Sequence, residues 1–309
     1  MIKRLILALS LSLPLAQTAA AQAGPVANRY AATIAAAERF TVGDTLVERH
    51  GSGSPALILI PGLASGAWVW QETVRQFAPQ HSIYVLTLPG FDGHPAVPGK
   101  GMAAAMESVR ELIASRKLVR PILIGHSLGG IMSIDLAARY PDLVRGVVSI
   151  DGLPVFPGTE QWPQAQRSAM SATLAARRSS PALFAEQQQQ YMSGTGTIDM
   201  SRAADLARLT AKSDPAAVAR YMADGIGLDL RSALPAIKAP VLVLSPFAAV
   251  DGDQLQMNEE GKTAYYKSLM QGTPNVTVQS ISPARHFAMF DQPQKVNDAL
   301  RAFIAGLPR

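Results

Sequence analysis

Gly125-His126-Ser127-Leu128-Gly129-Gly130 places one serine among glycines, after the apolar run Pro121-Ile122-Leu123-Ile124 and ahead of Ile131 to Tyr140, where apolar residues keep a helical period. A serine on so tight a strand-to-helix turn is held in a strained backbone conformation that lifts its hydroxyl out of the sheet. A side chain at Gly125 or Gly129 would collide across the turn. The helix starting at Leu128 aims free N–H groups at any negative charge that develops beside the serine. The chemistry this suits is nucleophilic attack on a carbonyl. A serine hydroxyl is hardly ionised at neutral pH, so it needs an imidazole to take its proton and return it to the leaving group. The chain offers His50, His81, His94, His126 and His286, and no cysteine. Thiolate nucleophiles, disulfides and cysteine-type metal sites are thereby excluded. No spacing among the histidines matches a metal site.

With this turn the sequence resembles the α/β-hydrolase superfamily, from about Phe40 to the C-terminus apart from an insertion. The resemblance implies Ser127 as nucleophile and a loop after the first apolar strand that supplies half of an oxyanion hole. Leu59-Ile60-Pro61-Gly62-Leu63-Ala64-Ser65-Gly66 stands in that place, and the backbone N–H groups of Leu63 and Leu128 are the implied donors. Many relatives carry His-Gly where this chain has Pro61-Gly62; the donors are backbone groups, so side-chain identity matters little. His286, in Ser282-Pro283-Ala284-Arg285-His286-Phe287 after the run Val276 to Ile281, falls where the family carries its general base. The acid is expected at Asp251, after Val241-Leu242-Val243-Leu244. The family position is nearer Ala249, so Asp251 arrives two residues late. Asp151, at the end of the run that follows the nucleophile helix, is the alternative, in a place some relatives use; Asp253 is a third candidate. His126 is expected to point away from the serine as a packing residue, and His94, in Pro89-Gly90-Phe91-Asp92-Gly93-His94, to belong to a surface loop.

The elements that must carry these residues read as an α/β chain. An Ala-rich, helix-like stretch from Arg29 to Glu38 precedes a β-hairpin, Phe40 to Val42 and Thr45 to Arg49, turning at Gly43-Asp44. Gly51 to Pro55 then breaks the chain before Ala56 to Ile60, a continuous apolar run that suits a strand covered on both faces. Further short β-rich runs lie at Ile83–Leu88, Ile122–Ile124, Val147–Ile150, Val241–Leu244 and Val276–Ile281, most followed by a helix-length segment. Such alternation predicts a mainly parallel sheet with crossover helices. From Gly152 to about Pro235 no strand is evident. Gln164 to Arg178, Leu183 to Met192, Arg202 to Lys212 and Ala216 to Asp224 read as helices, the last with Asp214 as N-cap and Pro215 at its first position. The domain reading is a leader over 1–23, a hydrolase core over 24–151 and 236–309, and a helical cap over 152–235. Phe156, Trp162, Met170, Phe184, Tyr191, Met192, Tyr221 and Met222 are the cap's candidates for lining an apolar acyl pocket.

Composition sets the remaining limits. A chain of 309 residues, 48% hydrophobic and 17% charged, has ample material for one core. Taking Lys3 and Arg4 from the 28 basic residues leaves 26 against 23 acidic ones, or +3. That charge, with no basic run, gives no basis for nucleic-acid binding. Lys3 and Arg4, the apolar Leu5 to Leu15 and Ala21-Gln22-Ala23 have the form of a secretory signal peptide cleaved before Gly24. A mostly apolar stretch of about eleven residues falls short of the roughly 20 a spanning helix needs, so no stable membrane anchor is expected. The reading is a periplasmic or secreted serine hydrolase that transfers the acyl group of a small ester to water without cofactor or metal. Lactonase, carbon-carbon hydrolase or perhydrolase chemistry, or a catalytically silent binding protein, are the alternatives on the same frame.

Overall fold

The computed structural model describes residues 28–252 and 256–308. The leader read in residues 1–23 and the candidate Asp253 lie outside the described residues. Eight strands form one sheet: β1 Glu38–Val42, β2 Thr45–His50, β3 Leu57–Ile60, β4 Ile83–Thr87, β5 Ile122–His126, β6 Gly146–Ile150, β7 Val241–Pro246 and β8 Val276–Ile281. They lie in the order β1-β2-β4-β3-β5-β6-β7-β8. The β1-β2 hairpin is antiparallel and β2 runs antiparallel to β4; every later pairing is parallel. The interior strands β3 to β7 are buried along their whole length, as their unbroken Ile, Leu and Val runs require. The edge strand β8 buries only Val278 and Ile281, on opposite faces, and exposes Thr277 and Gln279.

Ten helices are described: α1 Gln71–Phe77, α2 Met102–Ser115, α3 Leu128–Arg139, α4 Gln164–Ala176, α5 Pro181–Tyr191, α6 Met200–Thr210, α7 Pro215–Gly227, α8 Glu259–Leu269, α9 Ala288–Asp291 and α10 Pro293–Gly306. Alternate residues of each strand serve opposite faces. Ile58, Ile60, Leu123, Val147 and Val243 pack with Val109 and Leu112 of α2, Met132 and Leu136 of α3 and Leu269 of α8. Leu57, Leu59, Ile124, Val148 and Leu244 pack with Trp68, with Val74 and Phe77 of α1 and with Val296 and Leu300 of α10. The connection from β3 leads to β4 on one side, and the next crosses back to β5 on the other. The loops after β3 and β5 therefore diverge, leaving a crevice at the carboxyl ends of these strands.

Helices α4 to α7 all fall between β6 and β7. Asp214 Oδ1 accepts the Ala217 N–H at 2.7 Å with Pro215 at the first helical position, as the sequence predicts. Arg167 is almost wholly buried in this insertion. It donates to Thr159 Oγ1 at 2.9 Å and to the Leu228 carbonyl at 3.3 Å, tying the 152–163 loop to the end of α7. The Ala-rich stretch from Arg29, by contrast, is not a helix. Other elements take its polar groups: the Ala37 N–H reaches the Arg49 carbonyl at 2.8 Å, the Ile34 N–H meets the Gln71 side chain, and Tyr30 stands edge-on to Phe290 at 5.2 Å. An isolated helix of that length is marginal in water, so these outside partners prevail. Among the described residues no helix is long and apolar enough to cross a membrane.

Candidate active site

Ser127 sits between β5 and α3 at φ +52°, ψ −117°. A non-glycine residue there costs on the order of 1–3 kcal/mol and needs its surroundings to hold it. They do so from both sides. The Ser127 N–H donates to the Ile150 carbonyl at 2.8 Å, and its carbonyl accepts the Ile131 N–H at 3.1 Å. A Cβ on Gly125 would lie 2.1 Å from the Gly129 carbonyl oxygen, and one on Gly129 2.2 Å from the Ile60 oxygen. The turn can close only with glycine at both places. The Ser127 hydroxyl does not cap the helix behind it. The residue instead lines a cavity of about 760 Å³ together with His286, Asp151, Leu63 and Leu128. Among the described residues, the backbone N–H groups of Leu63 and Leu128 have no acceptor. Two unsatisfied donors beside one serine form an arrangement that can hold an oxyanion.

His286 lies on the loop after β8. Its Nδ1 meets Asp151 Oδ2 at 2.5 Å. Among the described residues that is its one side-chain hydrogen bond, which leaves Nε2 able to take a proton. Asp151 follows the last residue of β6, and Ile150 pairs in register with His126, the residue before the serine. The carboxylate thus emerges one strand away from the nucleophile, and a Cβ on Gly152 would press within 2.5 Å of the Ser127 carbonyl oxygen. Tyr266 of α8 donates its hydroxyl to the other carboxylate oxygen, Oδ1. Burial works against the charge on Asp151. The imidazole beside it, the hydrogen bond to that ring, the charge of Lys262 and the Tyr266 hydroxyl outweigh burial and bring its pKa down to about 2.

Asp251, the acid favoured from sequence, is not on the imidazole. Its carboxylate takes two hydrogen bonds from Arg285, from Nε at 2.8 Å and from an Nη at 2.6 Å. The chain after β7 explains the difference. Phe247 continues alongside the next strand, its N–H on the Ile281 carbonyl and its carbonyl accepting the Ala284 N–H, so the Ala249–Asp251 turn comes down on Arg285. The stretch after β7 does carry a carboxylate, but one that faces the neighbour of the histidine. Asp151, the alternative, faces the histidine itself.

His126 is wholly buried, its Nε2 3.0 Å from the His286 carbonyl oxygen and its ring 4.6 Å from the His286 ring. Burial and the adjacent imidazole bring its pKa down to about 3, so at neutral pH the ring is uncharged and Nε2–H donates to that carbonyl. It also accounts for Gly62, where a Cβ would stand 2.5 Å from its Nδ1. His94 is away from the cavity, with Nε2 2.8 Å from the Asp44 carbonyl oxygen on the hairpin turn. Of the cap candidates, Phe156, Phe184, Tyr191, Met192, Tyr221 and Met222 line the cavity. Trp162 and Met170 do not. Sequence reasoning did not find Tyr266, Lys262 or the role of Arg285. The first two sit on a helix whose only short-range signal is an ordinary amphipathic pattern. Among the described residues no group of acidic, histidine or cysteine side chains could hold a metal ion.

The alpha/beta hydrolase family profile matches residues 57–299. Among individual proteins, the pimeloyl-(acyl-carrier protein) methyl ester esterase of Vibrio vulnificus is 30% identical over 125 residues, 40% of this chain and 47% of that protein. The enzyme of the same name from Xylella fastidiosa is 34% identical over 119 residues, 38% of this chain and 44% of that one. The match thus spans about half the length of these relatives. Among solved structures, the enol-lactonase from Burkholderia xenovorans superposes with a TM-score of 0.68 at 18% identity, covering 87% of this chain and all of that one. A thermophilic esterase from Thermogutta terrifontis gives 0.68 at 20% identity, with 87% and 98% covered. At such identities the structural likeness is one of fold.

Proposed function

This chain belongs to the alpha/beta hydrolase family, and on that footing we propose that it hydrolyses carboxylic esters with Ser127 as nucleophile, His286 as general base and Asp151 as the acid that orients it. Ser127 Oγ attacks the ester carbonyl carbon while His286 Nε2 takes the hydroxyl proton. Asp151 holds the Nδ1–H and steadies the imidazolium that forms. The carbonyl oxygen becomes an oxyanion on the Leu63 and Leu128 amides, and its collapse expels the alcohol, which receives the proton from His286. Water then repeats the sequence on the acyl-enzyme. The observation that carries this reading is the cavity itself: it is lined by a strained serine, an imidazole whose far nitrogen is held by a depressed carboxylate, and two backbone donors without acceptors among the described residues. Its other walls are mostly apolar, among them Ile131, Leu153, Phe156, Phe184 and Tyr221. A volume of about 760 Å³ lies within the roughly 300–1,000 Å³ of small-molecule sites, so the ester is a small one with an apolar acyl or alcohol part. The names of the sequence relatives favour an ester over a lactone. Export, with cleavage after Ala23, is proposed on the pattern of residues 1–23 alone.

The test is a fluorophosphonate probe followed by p-nitrophenyl esters of graded acyl length. Wild-type protein should label and turn over, and Ser127→Ala should lose both while remaining folded. A folded wild type that neither labels nor hydrolyses any ester in the panel would return the chain to the binding-protein reading.

A further inference from the structure

Arg285 does not line the cavity, yet it is the residue next to the imidazole and one of the most heavily engaged side chains near it. Its Nε and one Nη form a two-pronged pair with Asp251. The other Nη donates to the Ser193 carbonyl at 3.0 Å and to the Thr197 carbonyl at 3.3 Å. One of those carbonyls lies within, and the other just after, the Met192–Gly196 turn at the end of α5, which has the wide hydrogen bonding of a π-helix. Such turns leave carbonyls without helical partners and recur at functional sites. This one receives the histidine loop in return. The His286 N–H donates to the Thr195 carbonyl at 3.2 Å and the Phe287 N–H to the Gly196 carbonyl at 2.8 Å. Tyr191, entering the turn, packs T-shaped with the imidazole, ring centroids 5.9 Å apart. The backbone of His286 therefore hangs from the insertion, at a turn that the preceding side chain clamps.

We infer that Arg285, oriented by Asp251, is a positioning residue that fixes the His286 imidazole by locking the Met192–Gly196 turn to the histidine loop. The inference rests on the reading of His286 as the base. A pair of this kind on an open surface would do little. Here the arginine side chain is only 13% exposed, the fork is two-pronged, and all three guanidinium nitrogens have partners, the conditions under which such pairs impose geometry. Catalysis is sensitive to that geometry: a misplacement of about 1 Å can cost about 10² in rate. On this side the insertion is a wall that carries the base, not a free lid.

Arg285→Ala, Arg285→Lys and Asp251→Asn should be compared with wild type by kcat and KM on p-nitrophenyl butyrate, thermal midpoint, and the downfield NMR resonance of the His286 Nδ1 proton. Arg285→Ala should lower kcat about 10- to 100-fold with KM little changed, and should broaden or shift that proton. Lysine keeps the charge but cannot span carboxylate and both carbonyls, so Arg285→Lys should recover only part of the loss. Asp251→Asn should fall between wild type and Arg285→Ala. If Arg285→Ala does not fold, the two milder variants carry the test. A lowered thermal midpoint with kcat within about twofold and an unmoved Nδ1 proton would make the pair merely structural and overturn the inference. If the wild type proves inactive, the ester-hydrolase reading fails, while the Nδ1 resonance still reports whether Arg285 fixes the imidazole.

Discussion

Replacing Asp151 with asparagine separates two carboxylates that the sequence alone leaves in competition. The fall of the Asp151 pKa from the ordinary 3.8 to about 2 is worth on the order of 2 kcal/mol at about 1.36 kcal/mol per pH unit, shared among the imidazole, Lys262 and Tyr266. It is a net figure, because burial acts in the opposite direction. Part of it comes from the ring, so the carboxylate favours positive charge on the imidazole in the step that builds it. An amide removes this and also removes the preference for the tautomer with its proton on Nδ1, the one able to accept the serine proton. The two effects together bring the expected loss in kcat toward about 10⁴, the value for the same change in a well-studied triad. Tyr266 and the Ser127 turn should hold the fold, so KM and the far-ultraviolet spectrum should stay close to wild type. Steady-state hydrolysis of p-nitrophenyl butyrate and the fluorophosphonate labelling rate measure the loss. An Asp151→Asn variant that keeps more than a tenth of wild-type kcat, or an Asp251→Asn variant that falls as far, would refute the reasoning.

Three other outcomes are expected. His126 has its pKa lowered from 6.5 to about 3, so between those values the unfolded chain binds a proton that the folded one does not; stability should fall as pH drops from about 6.5 toward 3, by at most about 1.4 kcal/mol per pH unit from this group. Urea unfolding at pH 7, 5.5 and 4.5 should show that slope, and His126→Gln, which keeps a donor for the His286 carbonyl, should flatten it; equal slopes would exclude His126 as the cause. Phe184→Ala opens the cavity wall and should raise KM for medium-chain esters by about tenfold, whereas Trp162→Ala, outside the cavity, should leave chain-length preference unchanged; the reverse order would mean that the wall is misassigned. Intact mass of protein from the native host should correspond to a chain starting at Gly24, and a soluble protein retaining residues 1–23 would contradict export.

How much of this was legible beforehand depended on the range of the forces involved. Ser127 and its glycines were readable because a strained turn between a strand and a helix is specified within six residues. The interior strands were readable because burial on both faces demands unbroken apolar runs. Asp214 with Pro215 was readable because a helix cap is local. Asp151 and Asp251 could not be ranked from the chain. Each follows a strand next to the right part of the sheet, and the difference lies in register: Ile150 beside His126 on one hand, Phe247 drawn along β8 on the other. Tyr266 was invisible for the same reason, since its hydroxyl meets Asp151 across 115 residues. The Arg29 stretch misled because helix propensity was the only local signal, while its partners Gln71, Arg49 and Phe290 lie elsewhere.

The position of the proposed acid ties the insertion to the proposed chemistry. Asp151 is followed at once by Gly152, where the chain leaves the sheet to build α4 to α7, and it returns only at β7. An acid placed after β7 would have been independent of that excursion. Here the loop that carries the carboxylate is also the stem of the insertion, while the far end of α5 holds the backbone of His286 through Thr195 and Gly196. The proposed acid and base are therefore both anchored to the same inserted segment, one at its stem and the other at the turn after α5, and Tyr191 and Met192 line the same cavity. Changes in the insertion that alter substrate fit should then seldom leave the chemical step untouched, with α5 and its terminal turn more sensitive than the outer face of α4.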